Sequence, residues 1–325
     1  MSGYLVFREK FRETKARDLQ ALQGSMAAWI DEWIVPSGNQ GKWYLEHNSE
    51  EDIASYLVNW NKRRNLHYFD AAPELVAQSH AVTNRVFTEL SRTQSELPDY
   101  SEPMIVDYYN AEDYVFQNPY PDTDRTTVTR VLDFGAGFGR QLNMWSQNVP
   151  ELVFCGVDAI EGGYMTQNFY YKNSGTLPVY EYIDDPGNFN ISDAPGIYHI
   201  PSWRFDLVPD NFFDLIIGVF VLDEIGRNTA LYALDQFTRC LKPGGKIYAR
   251  DHNCGTAGGN GLNMDLEIEN RGFVLEFRPH IMDRAEIWGL PRIYRKIDHS
   301  WPDIKERDKR YAEMLKQEDL ADSEP

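Results

Sequence analysis

Apolar positions recur along this chain with two different periods, and the change falls near residue 120. Upstream the spacing is helical. Ile53, Tyr56, Leu57 and Trp60 stand at i, i+3, i+4 and i+7, one face of a helix. Ser49, with Asp52 three residues on, offers a capping-box-like start for it. Val82, Val86, Phe87 and Leu90 repeat the spacing in a second helix opened near Pro73, a residue suited to a first turn. An earlier helix is expected to carry Leu19, Leu22, Met26, Trp29, Ile30 and Trp33. Residues 97–127, rich in Pro, Asp, Asn and Tyr, read as an irregular connection.

Downstream, short apolar runs alternate with helical stretches. The expected strands are Arg130–Phe134, Leu152–Asp158, Ile197–Phe205, Phe213–Leu222, Lys246–Asp251, Phe273–Phe277 and Arg292–Ile297, with helices over 139–148, 161–173 and 228–241. Apolar strands alternating with helices imply an α/β fold with a mainly parallel, doubly wound sheet. The organisation expected is a helical cover over 1–120, an α/β core over 121–300, and a charged helix (303–317) with an acidic tail over 301–325. No internal repeat or long low-complexity segment interrupts it.

Charge narrows the function classes. The 325 residues carry a formal charge of −18, and such an acidic surface repels phosphate backbones and anionic lipid. Nucleic-acid and membrane partners are therefore not expected. The longest apolar run, Leu215 to Leu222, is too short for a bilayer, and Met1–Arg12 carries charges where a signal peptide needs an apolar stretch. The chain reads as cytoplasmic. Cys155, Cys240 and Cys254 have no metal spacing and are expected as reduced thiols.

The sharpest chemical feature is Asp133-Phe134-Gly135-Ala136-Gly137-Phe138-Gly139, a D-x-G-x-G-x-G turn at the end of a strand. Glycines there permit positive φ and let a ligand approach bare backbone, and a helix starting near Arg140 would aim unpaired N–H groups at it. A dinucleotide fingerprint needs its third glycine one position later, where Arg140 stands. One βα unit on, Phe154-Cys155-Gly156-Val157-Asp158 ends a second strand in an acid placed to accept two ribose hydroxyls. The competing reading is a generic strand-end turn with Asp158 capping the following helix; the two acids in this order favour S-adenosylmethionine (SAM).

On these residues the chain resembles the class I SAM-dependent methyltransferases over roughly 128–297. Phe213-Asp214-Leu215-Ile216-Ile217 is similar to the family's fourth strand, and Leu241-Lys242-Pro243-Gly244-Gly245-Lys246 to the loop before the fifth. The resemblance implies a Rossmann-like, seven-stranded sheet with the final strand antiparallel and an N-terminal helical lid. It implies SAM held by Asp133, Phe134, Gly135, Gly137, Phe138, Gly139, Asp158 and Ala159, with Asp133 at the methionine amine and Asp158 at the ribose. The family's acid beside the adenine amine falls here on Ser202, next to Trp203, while Asp206 stands four residues later. The adenine contact is open between Ser202 and Asp206.

Aromatic faces can stabilise a sulfonium by roughly 0.5–2 kcal/mol each. Phe134, Phe138, Tyr164, Tyr170, Tyr171, Tyr180, Tyr182 and Phe220 are candidates, each with core packing as the plainer role. Asp223 and Glu224, at the carboxyl end of the fourth strand, are candidate bases, with helix capping or ion pairing as the alternative. Arg250-Asp251-His252-Asn253 could line an acceptor site. No metal is expected.

Three functions fit these residues. The first is methyl transfer from SAM to a small acceptor. The second comes from a further resemblance, to azetidine-2-carboxylate synthases of the same fold, which cyclise SAM and release methylthioadenosine; Asn143 and Tyr180 would then hold the folded aminobutyrate chain. The third is a non-catalytic SAM-fold interaction protein. Oligomeric state is not encoded legibly.

Overall fold

The structure is a computed structural model that describes residues 3–22, 49–61, 72–93, 100–119, 128–251, 260–279 and 289–297. Four helices come first: α1 (Gly3–Ala21), α2 (Glu50–Asn61), α3 (Pro73–Thr93) and α4 (Ile105–Gln117). Then follow β1 (Arg130–Phe134), α5 (Leu142–Asn148), β2 (Val153–Asp158), α6 (Glu161–Ser174), β3 (Val179–Glu181) and β4 (Gly196–Pro201). A 3₁₀ turn over Ser202–Leu207 leads to β5 (Phe213–Val219), α7 (Arg227–Cys240), β6 (Leu241–Asp251), α8 (Met264–Glu269), β7 (Phe273–Phe277) and β8 (Leu290–Lys296).

The strands form one sheet in the order β3-β4-β2-β1-β5-β6-β8-β7. All neighbours from β3 to β6 are parallel, and β8 inserts antiparallel between β6 and β7. The seven strands expected are present with the last antiparallel; β3 is a three-residue addition at one edge. From β1 the chain moves through β2 to the edge pair β3–β4, and from β5 it moves the other way through β6 to the edge pair β7–β8, so it changes side between β1 and β5. In such sheets a crevice opens there, beyond the carboxyl ends of the strands.

Period-two alternation assigns the strand side chains to two faces. Leu132, Phe134, Ile216 and Ile247 join Phe7 and Phe11 of α1 and Phe237 of α7 in one apolar cluster. Val131, Leu215, Ile217 and Tyr248 join Ile53 and Leu57 of α2, Val86 and Phe87 of α3, and Leu142 and Trp145 of α5 in the other. The helices before residue 120 thus share a continuous core with the sheet.

The Ser49 capping box is formed: Ser49 N–H donates to Asp52 Oδ2 (3.1 Å) and Asp52 N–H to Ser49 Oγ (3.3 Å). Other boundaries differ from expectation. Residues 97–127 are not all irregular, because α4 occupies thirteen of them, and half of its buried side chains are polar or charged, so no continuous apolar stripe reveals it. The first helix is α1, whose buried positions Phe7, Phe11, Thr14 and Asp18 mix apolar with polar residues. Leu19 lies in it and Leu22 just beyond; Met26, Trp29, Ile30, Trp33, the Trp60 side chain and 303–317 lie outside the described residues. The third expected strand stops at Pro201, where its partner β2 ends at Asp158 and the ladder has nothing left to pair with. The fourth stops at Val219, because Phe220 turns out with φ 54°.

Candidate functional site

The chain leaves β1 through three glycines at φ 67°, 59° and 91° (Gly135, Gly137, Gly139), values that disfavour any side chain. Their surroundings separate them. A Cβ on Gly135 would collide with Val221, and one on Gly139 with the ring of Tyr171, which also fills the place of a side chain at Gly156. At Gly137 the nearest neighbour would be the Tyr56 hydroxyl of α2 at 3.9 Å. The outer glycines therefore serve close packing, and Gly137 is where bare backbone faces outward under α2. Only some of the amides leading into α5 are left for a ligand. The amides of Gly139, Leu142 and Asn143 donate to the carbonyls of Ala136, Gly139 and Arg140, and regular helix begins only at Leu142.

Two acids flank this turn. Asp133 is 2% exposed, and its Oδ2 has no hydrogen-bond partner among the described residues. Burial pushes its carboxyl up to about 8, with Arg140 opposing and the charges of Asp158 and Asp113 adding. Asp158, also buried, accepts from the Ile160 N–H through Oδ1 (3.0 Å) and from Gln167 Nε2 through Oδ2 (2.7 Å). Burial raises its carboxyl against those hydrogen bonds. Asp158 does not cap α6, whose N-cap is Ile160 with no side-chain cap hydrogen bond, and with about four lone-pair sites its carboxylate keeps capacity for a ligand. Ala159, beside it, is buried as well.

Past β4, Ser202 is 1% exposed and its Oγ has no partner among the described residues. Asp206 points to the surface in an ion pair with Arg204 (2.9 Å). Of the two adenine candidates, only Ser202 offers a buried polar atom. Trp203 packs edge-on against Phe11 of α1 (5.3 Å) and donates its Nε1 to Asp18 Oδ2 (3.3 Å). Asp18 also accepts from the Tyr182 hydroxyl (2.7 Å). Sequence reading did not single out this acid; its only signal is a heptad relation to Phe11.

The aromatic candidates disperse. Phe134 packs on Phe205 and Phe237 (5.9 and 5.1 Å) inside the core, on the face opposite to Asp133. Phe138 stands edge-on to Tyr170 (5.4 Å) and Tyr56 (6.4 Å). Tyr180 is 40% exposed on the edge strand β3 and stacks on Tyr198. Asn143 is fully buried in a clasp, donating to Thr83 Oγ1 (2.8 Å) and accepting from the Tyr170 hydroxyl (2.9 Å). The structure does not bring Asn143 and Tyr180 together. One is committed to joining α3, α5 and α6, and the other lies at the sheet edge.

At the carboxyl end of β5, Phe220 holds a left-handed conformation that is strained for a bulky residue. Gly289 leaves room for its ring, and its N–H donates to the Arg250 carbonyl (2.7 Å). Buried Asp223 and half-buried Glu224 follow in the same turn. His252 and Asn253 lie outside the described residues. Arg250 and Asp251, expected to line an acceptor site, are instead drawn into buried ion pairs. Arg250 meets Glu112 (2.9 Å) and Asp113 (2.6 Å) of α4, and Asp251 meets Arg292 (3.2 Å).

Asp113 centres a network that sequence reading missed. It pairs with Arg140 (2.8 Å) and accepts from Gln141 Nε2 (2.8 Å) and the Tyr248 hydroxyl (2.7 Å). Burial alone would raise its carboxyl, but Arg140 and Arg250 outweigh that and hold it down to about 2. The helix α4 thereby braces both the exit of the glycine turn and the end of β6.

Among the described residues no group of three His, Cys, Asp or Glu side chains is placed to hold a metal, and no helix is long and apolar enough to cross a membrane. Cys155 and Cys240 are buried free thiols; Cys254 lies outside the described residues.

No family model matches this chain, and no curated protein does. Solved structures do resemble it. The 4+2 cyclase SpnF is 15% identical over 58% of this chain and 83% of its own, with a TM-score of 0.41. A putative O-methyltransferase from Nostoc punctiforme is 14% identical over 79% of this chain and 74% of its own, at 0.41. The N-methyltransferase NodS from Bradyrhizobium japonicum WM9, in complex with S-adenosylhomocysteine, is 11% identical over 67% of this chain and 98% of its own, also at 0.41.

Proposed function

We propose that this chain is a SAM-dependent enzyme that binds SAM in the crevice beyond β1, β2 and β4 and transfers its methyl group to a small acceptor. The observation that carries the reading is Asp133: a buried carboxyl with an unpartnered oxygen beside a glycine whose open side faces outward. A buried polar atom of this kind costs roughly 1–3 kcal/mol unless something pairs with it, and a ligand ammonium is a suitable partner. Gly137 would meet the ligand through backbone, Asp158 would accept the ribose hydroxyls, and Ser202 would offer its hydroxyl to the adenine side. SAM supplies an activated carbon on a sulfonium; the protein's part is to align the partners and exclude water. Tyr56, the Phe138 ring and the helices α2 and α3 close the glycine turn on one side, while α1 packs against the 3₁₀ turn on the other.

A second reading, cyclisation of SAM to azetidine-2-carboxylate, is favoured by one specific observation. In that reaction the amino nitrogen displaces the sulfide from its own γ-carbon and must shed a proton. Asp133 keeps a buried oxygen with no partner among the described residues, and in its ionised form, paired with the ligand amine, it would take that proton.

The deciding experiment incubates purified protein with SAM alone and chromatographs the nucleosides. Methyl transfer predicts no turnover until an acceptor is supplied, then S-adenosylhomocysteine; methylthioadenosine without any acceptor overturns it in favour of cyclisation. Absence of SAM binding by calorimetry overturns both and leaves an interaction protein. Asp158→Ala should weaken SAM binding by about 10- to 100-fold through loss of charged hydrogen bonds worth roughly 1.5–3 kcal/mol. Unchanged affinity removes Asp158 from the site.

A further inference from the structure

We propose that Gln167 is a positioning residue that aligns the Asp158 carboxylate for a pair of vicinal hydroxyls, and that the buried pair His199–Glu181 locks Gln167 in the amide orientation this requires. The inference rests on the SAM site proposed above.

Gln167 lies on α6 and is fully buried. Its Nε2 reaches Asp158 Oδ2 at 2.7 Å and the Gly137 carbonyl at 2.8 Å. Both partners accept from it, so the nitrogen must occupy that end of the amide. One side chain thus ties the second-strand acid to the glycine whose open side faces outward.

The other end of the amide is equally constrained. Gln167 Oε1 faces His199 Nε2 at 3.0 Å, so that ring nitrogen donates. His199 Nδ1 faces Glu181 Oε2 at 2.6 Å and donates as well. Both ring nitrogens therefore face an acceptor, one on Gln167 and one on Glu181. Burial would raise the Glu181 carboxyl, but the His199 charge and hydrogen bond outweigh it and hold the acid below its ordinary range. Glu181 also accepts from the Tyr164 hydroxyl (2.5 Å), Asn168 Nδ2 (2.7 Å) and the Ile183 N–H (3.1 Å). Tyr164 stacks on the imidazole at 3.8 Å and Tyr171 meets it edge-on at 5.2 Å. No member of this chain can rotate without breaking a buried hydrogen bond.

The topology supplies a reason for the additional edge strand. Register pairs Glu181 of β3 with His199 of β4, so the three residues of β3 bring the acid to the ring. A continuous relay then runs from the sheet edge through β4 and α6 to β2 and the glycine turn. It takes one lone pair of Asp158 Oδ2 from behind and fixes the plane of the carboxylate for whatever meets its remaining lone pairs.

The test uses S-adenosylhomocysteine and its 2′-deoxyribose analogue as probes, titrated calorimetrically into the wild type, Gln167→Met and Glu181→Gln. The wild type should prefer the ribose ligand by about tenfold or more, as expected for a charged hydrogen bond. Gln167→Met, similar in volume but unable to donate, should bring the preference to within about twofold, mainly by losing affinity for the ribose ligand. Glu181→Gln, remote from any ligand, should lower the preference by a smaller factor. A packing role alone would weaken both ligands equally and keep their ratio, and that result overturns the proposal. Should Gln167→Met fail to fold, an unchanged ratio in Glu181→Gln overturns it instead. If the wild type binds neither probe, the SAM reading fails and the positioning role falls with it; wild-type discrimination that survives in both variants defeats the positioning role alone.

Discussion

Asp113 and Asp133 are both aspartates sealed from solvent, and both lie near Arg140, yet their carboxyls are driven in opposite directions. Asp113 sits among two arginines, a tyrosine hydroxyl and a glutamine amide, and is held near 2. Asp133 has an oxygen with no partner among the described residues and is pushed to about 8. Burial acts on both alike, so the difference lies in how completely the surroundings pair with the charge. A paired buried acid is structural; an under-paired one at a strand end stores an unmet demand that a ligand can satisfy.

The largest effect expected from this contrast is on stability at Asp113. Asp113→Ala leaves Arg140 and Arg250 with a buried charge deficit and should cost about 3–5 kcal/mol in urea unfolding. A loss under about 1 kcal/mol would mean that Glu112 compensates alone, and the contrast would collapse.

The next effect is a pH slope. The Asp133 carboxyl is raised in the folded protein, so between about pH 4 and 8 the folded state keeps a proton that the unfolded state has lost. Stability should therefore fall as pH rises through that window, by about 1.4 kcal/mol per unit from this group. Asp113 acts with the opposite sign: its stabilisation is present above about pH 4 and is lost as pH falls towards 2. Urea titrations of the wild type and Asp133→Asn at pH 5, 6 and 7 should diverge by that slope. Parallel profiles would show that Asp133 is ionised in the folded protein.

The smallest effect concerns a third aspartate, one that water already satisfies. Asp206 is exposed and paired with Arg204, so Asp206→Ala should change stability by less than about 0.5 kcal/mol and leave SAM affinity within about twofold. A tenfold loss of affinity would move the adenine contact from Ser202 to Asp206.

Legibility in the sequence follows the same division. The glycine turn was legible because positive φ leaves a residue-type signature at adjacent positions, and the strands because alternation is local. Phe134 was legible in part: one residue from Asp133 in a strand, it must face the other way, into Phe205 and Phe237. The helix α4 was hidden because its buried side chains include Asp107, Asn110, Glu112, Asp113 and Gln117, and polar residues spell a surface unless their partners are known.

By itself, then, the sequence determined the order of the seven main strands, the turn after β1 and the acids at the ends of two strands, all features that depend on neighbours within a few residues. Only the tertiary structure decided which buried polar groups are satisfied. Asp113 meets Arg250 across 137 residues of chain, and His199 meets Gln167 across 32. Contacts at such separations follow no local period, because they form only when the sheet has placed distant strands side by side. They determine that Asp113 is a brace, that Gln167 ties Asp158 to the glycine turn, and that Asp133 is left with an oxygen for a ligand to meet.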